Sequence, residues 1–275
     1  MSHPCKQYVV NGIRMNVLDA GSGPAVLLVH GFPDTHAVWR QQIPALVAAG
    51  FRVIAPDTRG CGETDLSPDV ADYAIDRLTD DLLALLDALH IDRAAVIAHD
   101  WGAMIAWRLA IFHPERVRQL AVLSVGHPRA YAAGGFMQKL RGYYILFLQW
   151  RGGAEFLARQ ADWWLFRAMT RFPGEFAQWR EQLSRPGRLT AGANYYRANL
   201  GMLWDRRDYP KVRVPVLGIW SSNDLFLVES QMRQSGREVA APWRYERVEG
   251  ANHWLQLTAP EQVNRLLTDF LIRGE

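Results

Sequence analysis

Five short runs of apolar residues constrain this chain more than any other feature: AVLLVH (25–30), FRVIAPD (51–57), AAVIAH (94–99), VRQLAVLSV (117–125) and VPVLGIWSS (214–222). A strand with water on one face alternates apolar and polar residues. These runs do not, so they predict strands buried on both faces. Between them lie amphipathic helical patterns such as LTDDLLALLDALH (78–90), which puts Leu82, Leu85, Leu86 and Leu89 on one face. The alternation predicts an α/β architecture, a mostly parallel sheet covered by helices on both sides. Ahead of it, QYVVNGIRMNVLDAG predicts a hairpin whose two-residue turn, Asn11-Gly12, suits positive backbone angles. A chain of 275 residues, 49% of them hydrophobic, is long enough to bury such a core.

The alternation stops near residue 129 and resumes near 211. Residues 1–128 and 211–275 are therefore expected to form the core, and 129–210 an inserted helical cap punctuated at Gly134-Gly135, Gly152-Gly153, Pro173-Gly174 and Pro186-Gly187. Five of the eleven tryptophans fall in the insertion: Trp150, Trp163, Trp164, Trp179 and Trp204. Most are expected to fill its small core, and some to line a pocket over the sheet's carboxyl edge, where open parallel sheets bind ligands. A net charge of +3 with scattered arginines gives no nucleic-acid footprint, so no such partner is expected. Cys5 and Cys61 have no metal-ligand spacing and read as free thiols. No stretch reaches the ~18 uncharged residues of a membrane span, and the start has no apolar leader. A cytoplasmic protein with no membrane partner, metal or cofactor is expected.

One junction demands an explanation. In VIAHDWGAMIAW (96–107) a buried strand runs through His99 into Asp100 and straight into a helix. A carboxylate there loses solvation unless its charge is used. As a helix N-cap it would be unremarked. A polar residue between small neighbours at a strand-to-helix turn also has the form of a nucleophile elbow, with aspartate where serine usually stands. Aspartate is already an anion at neutral pH and suits attack on a saturated carbon bearing a leaving group. Freeing the resulting ester needs a base, an acid to orient it and donors for an oxyanion. His253 in EGANHWLQ, Asp224 in WSSNDLF, and the backbone N–H groups of Phe32 and Trp101 fill these roles, in the chain order nucleophile, acid, histidine. His30, Pro33 and His99 read as structural, with a cis bond allowed before Pro33; Asp57, Arg59 and Gly60 read as turn-fixing.

HGFPDTHAVW (30–39), DTRGCGETD (57–65), AHDWGAMIAW (98–107), NDLFLV (223–228) and GANHW (250–254) together resemble the epoxide hydrolases of the α/β-hydrolase fold. The resemblance implies a hydrolase that needs no cofactor and turns a small apolar or aromatic epoxide and water into a vicinal diol. It implies two lid tyrosines that protonate the departing oxygen, Tyr144 in YYILFLQ and Tyr196 in NYYRANL. The adjacent Tyr143 and Tyr195 leave a one-residue ambiguity, which the spacing to Gln149 and to Arg197-Ala198-Asn199 resolves toward Tyr144 and Tyr196. Haloalkane dehalogenases share the nucleophile and use Trp101 with a second N–H donor. Here the residue after His30-Gly31 is Phe32 rather than asparagine, leaving Trp163 or Trp164 for that task. A ligand-binding protein of hydrolase fold is the remaining alternative.

Overall fold

The computed structural model describes residues 4–205 and 207–274, so the outer limits of the expected core, residues 1 and 275, lie outside it. Eight strands form one sheet: β1 (Cys5–Val10), β2 (Ile13–Ala20), β3 (Ala25–Val29), β4 (Arg52–Pro56), β5 (Ala94–His99), β6 (Val117–Leu123), β7 (Val216–Ser221) and β8 (Trp243–Val248). Their order across the sheet is β1-β2-β4-β3-β5-β6-β7-β8. Only β1 with β2 and β2 with β4 pair antiparallel; every later pair is parallel. The β1–β2 turn has Asn11 at φ 47° and Gly12 at φ 78°, the angles that an Asn-Gly pair tolerates.

The core helices are α1 (Gln42–Ala48), α2 (Ile75–Ala88) and α3 (Trp101–Phe112). Between β6 and β7 lie α4 (Pro128–Ala132), α5 (Gly135–Arg141), α6 (Tyr143–Leu148), α7 (Gly153–Thr170), α8 (Pro173–Ser184) and α9 (Arg188–Ala198); after β7 come α10 (Glu229–Gln234), α11 (Leu255–Thr258) and α12 (Pro260–Arg273). Neighbouring residues of the central strands feed opposite cores. Leu27, Val29, Val96 and Ala98 pack on one side, Val26, Leu28, Ala95 and Ile97 on the other. That two-sided demand is why these strands carry no polar alternation.

The insertion departs from expectation in its tryptophans. Trp163 and Trp179 are buried, but Trp150, Trp164 and Trp204 are more than half exposed. α6 offers its inner face to the cavities below, α5 is tied through Gln138 and Arg141 to residues 224–228, and Trp150 follows them on the outer side. Among the described residues no helix is long and apolar enough to cross a membrane, and no group of three potential metal ligands occurs.

Candidate active site

Asp100 ends β5 and starts α3 with φ 52° and ψ −123°, a conformation costing roughly 1–3 kcal/mol that throws the carboxylate above the sheet edge. Glycines make the bend possible. A Cβ on Gly102 would lie 2.1 Å from the Val29 carbonyl oxygen, and one on Gly31 would lie 2.3 Å from Asp100 Oδ1. The Phe32-Pro33 bond is cis, as anticipated. It follows His30, which donates from Nδ1 to the Gly31 carbonyl at 2.8 Å and accepts from the Thr58 N–H at Nε2. Phe32 N–H in turn donates to Asp100 Oδ1 at 3.0 Å.

His253 lies on the loop after β8, with Nε2 3.5 Å from Asp100 Oδ2. Its Nδ1–H donates to Asp224 Oδ2 at 2.8 Å. The other Asp224 oxygen accepts from the N–H groups of Phe226 and Leu227 at 2.8 and 2.9 Å, which fixes the carboxylate plane. The His253 carbonyl is held too, accepting from His99 Nε2 at 2.9 Å and Ser124 Oγ at 3.0 Å. His99 thus has a structural task, as the sequence suggests. Asp57 holds its turn by accepting from the Glu63 N–H, and also accepts from His36 and Asn16; Arg59 instead ties the loop to α2 through a buried pair with Asp81.

The electrostatics follow from these contacts. Burial alone pushes the His253 imidazolium toward neutrality, but the charges of Asp224 and Asp100 outweigh it and raise its pKa to about 10. Burial likewise raises the Asp100 carboxyl, and the hydrogen bond and charge of His253 outweigh that, holding it below its ordinary value. Burial pushes the phenols of Tyr144 and Tyr196 well above their ordinary value, with Asp100 adding to both, so both are neutral donors.

Tyr144 and Tyr196 share with Asp100 the walls of two adjoining cavities. The larger is lined by Phe32, Phe147, Phe166, Phe226 and Trp254, the other by Met104, Val125, Ile145, Met202 and Leu203. The neighbours that made the register ambiguous are engaged elsewhere. Tyr143 is exposed, and the Tyr195 hydroxyl donates to the Arg59 carbonyl at 2.7 Å beside Thr58. Neither Trp163 nor Trp164 lines either cavity, so neither supplies Trp101 with a second halide donor.

One buried group carries no sequence signal. Asp34, just past Phe32-Pro33, accepts from Trp179 Nε1 at 2.8 Å and from Trp254 Nε1 at 2.9 Å. It joins the inserted α8 to the residue beside His253. Burial, opposed by the two indole hydrogen bonds, raises its pKa to about 7.

A sheet of this order, with an acidic elbow after β5, an acid after β7 and a histidine after β8, defines an α/β hydrolase. The chain belongs to the alpha/beta hydrolase fold family, whose profile matches residues 24–260. It is 34% identical to the AB hydrolase superfamily protein YfhM of Bacillus subtilis, covering 97% of each chain. It is 32% identical to epoxide hydrolase A of Mycobacterium tuberculosis, covering 98% of each. The crystal structure of epoxide hydrolase A from Mycobacterium thermoresistibile matches with a TM-score of 0.84 at 30% identity, over 99% of each chain. The chain is thus a hydrolase of the epoxide-hydrolase branch of this family.

Proposed function

We propose that the protein hydrolyses apolar epoxides to vicinal diols through an alkyl ester on Asp100. The observation that carries this reading is one carboxylate oxygen facing His253 beneath two neutral phenols. Asp100 Oδ1 is held by the Phe32 N–H, which leaves Oδ2 to attack a ring carbon. The ring oxygen leaves that carbon and takes a proton from Tyr144 or Tyr196, giving a hydroxyalkyl ester and a tyrosinate. The ester is neutral, so His253 loses one of its two anionic neighbours and its pKa falls. Its proton then returns the tyrosinate to phenol, and the neutral imidazole deprotonates water. The water oxygen adds to Asp100 Cγ while Phe32 and Trp101 N–H groups hold the oxyanion on Oδ1. Collapse breaks the Cγ–Oδ2 bond, the proton still on the added water oxygen passes to the departing alkoxide, and the diol leaves with Oδ2 while the water oxygen stays in the carboxylate. His253, oriented by Asp224, is charged again, and the sum is epoxide plus water to diol.

Residues 1–128 and 211–275 then serve as the catalytic core, and 129–210 as the cap that brings in the two tyrosines. Two apolar chambers meeting at Asp100 suit an epoxide with an apolar or aryl group on either ring carbon. Free thiols at Cys5 and Cys61 suit a reducing cytoplasm. His253→Gln incubated with styrene oxide should accumulate an Asp100 peptide heavier by one substrate, read by mass spectrometry. A single wild-type turnover in heavy-oxygen water should label Asp100 and leave the first diol unlabelled. Label in that diol and none in Asp100 means direct attack by water, and this scheme fails.

A further inference from the structure

The outer face of α5 and α6 is apolar, and among the described residues nothing covers it. Phe136, Leu140, Tyr143, Leu146 and Trp150 recur every three or four residues across the break at Gly142, and each is more than half exposed. Phe156 and Trp164 on α7 are exposed to a similar degree. Scattered exposed apolar residues are ordinary, but a helical stripe of them marks an interaction surface.

The charges in the stretch of chain that carries the stripe indicate what it meets. Residues 135–171 contain six Lys or Arg (139, 141, 151, 159, 167, 171) and two acids (155, 162), a net +4 in a chain whose total is +3. Both acids are committed, Glu155 to Arg197 and Asp162 to Arg180. Lys139, Arg151, Arg159, Arg167 and Arg171 are exposed, and among the described residues none has a carboxylate within ion-pair distance; Arg159 and Arg167 lie over the rings of Trp163 and Phe176, whereas Lys139 and Arg151 belong to the stripe's own stretch of chain. A second copy is a poor occupant. A two-fold contact sets the same patch against itself and would gather these cations together. Aromatic and aliphatic side chains among unpaired cations match the boundary of an anionic bilayer, where the rings sit at headgroup depth and the cations meet lipid phosphates.

We propose that the α5–α6 face docks the protein on membranes containing anionic phospholipid. The expectation of no membrane partner rested on the absence of a spanning segment, a criterion blind to surface docking. The proposal does not depend on the reaction assigned above, but it has a consequence for it. Tyr144, Phe147 and Leu148, on the inner side of α6, line the larger cavity, so a docked protein would hold one wall of its cavity against a reservoir of apolar solutes.

Flotation of the full chain with phosphatidylcholine vesicles, with and without phosphatidylglycerol, tests this. Binding should require phosphatidylglycerol and weaken as salt rises. Each basic residue lost should lower partitioning about fivefold, so Lys139→Glu with Arg151→Glu should lower it roughly 25-fold or more. Leu146→Ser with Trp150→Ser should lower it through the apolar half of the contact. All four side chains are exposed, and unchanged melting curves would show both variants folded; the salt titration of the wild type reads the same property without any variant. Absence of wild-type binding, binding indifferent to lipid charge, or sedimentation of a dimer that Trp150→Glu splits would each overturn the proposal.

Discussion

Replacing Trp179 by Phe should destabilise the protein in a way that depends on pH, and the dependence follows from Asp34. The substitution removes the 2.8 Å indole donor to Asp34 Oδ1 and leaves only the Trp254 donor on Oδ2. With a pKa near 7 in the native state and 3.8 as its reference, Asp34 is protonated in the fold at pH 5.5 and ionised at pH 8.5. Because its native pKa is raised, the stability associated with its proton is fully present below about pH 4 and is lost as pH rises through 7. At pH 5.5 the variant loses a hydrogen bond to a neutral acceptor, about 1 kcal/mol; at pH 8.5 it loses one to a buried anion, about 1.5–3 kcal/mol. Phe is smaller than Trp, and the void it leaves adds a loss that does not vary with pH and drops out of the comparison. The difference of roughly 0.5–2 kcal/mol corresponds to raising the Asp34 pKa by about half a unit to one and a half units. Urea denaturation of wild type and variant at the two pH values measures it. Equal losses at both would mean that Asp34 does not titrate between them, and the assignment of its charge state would fall.

Tyr144→Phe and Tyr196→Phe should each lower kcat for epoxide opening by about tenfold or more, and the double variant by about 10²–10⁴, if the two phenols share one proton-transfer task. Stopped-flow ester formation would check this, and a double variant at wild-type rate would remove both tyrosines from the chemistry. Gly31→Ala puts a Cβ 2.3 Å from Asp100 Oδ1 and 2.4 Å from Asp100 Cβ, so it should abolish ester formation and, because that Cβ is tied to the elbow backbone, also lower the melting temperature; wild-type ester formation in this variant would deny the close approach. The His253 imidazole should titrate near pH 10 in the resting enzyme, read by nitrogen NMR. In Asp100→Asn that titration should move down by at least about one unit, since one of two anionic neighbours is gone; an unmoved titration would deny Asp100 its part in holding the proton.

The parts that were legible in the sequence are those whose physics is local. β5 shows as an unbroken apolar run because both its faces are buried, and Asp100 stands out because an ionisable group ends such a run. Asp224 follows a second such run, β7, by three residues, whereas β8 is charged and only partly buried, so His253 is legible from the chain order nucleophile, acid, histidine. The tyrosines are a different case. Successive residues on a helix point about 100° apart, so Tyr143 faces water while Tyr144 faces the cavity; composition and periodicity do not choose between them, the spacing to Gln149 does so only through the family resemblance, and the docking of α6 gives the physical reason. Asp34 was invisible because its partners stand 145 and 220 positions away. The tryptophans of the insertion depart from expectation because hydrophobicity says how a side chain partitions but not which partner it meets, and Trp150, lying against Gly153, still leaves more than half of its surface exposed.

The charge arrangement explains why one histidine can serve both halves of the proposed cycle. An imidazole between two carboxylates, 2.8 Å from Asp224 and 3.5 Å from Asp100, is too acid-bound to act as a base while both are ionised. That is useful at the start, since a neutral imidazole that close would tempt water to compete with the epoxide. Alkylation itself lifts the block, because it removes the Asp100 charge and leaves the Asp224 contact, with its two backbone donors, undisturbed. The base is therefore released by the formation of the intermediate it must hydrolyse. A serine at the elbow could not do this, since it is neutral before and after acylation. The timing of the second step thus depends on the residue that sets aspartate elbows apart, and on His99 and Ser124 keeping the His253 backbone in place while its side-chain charge changes.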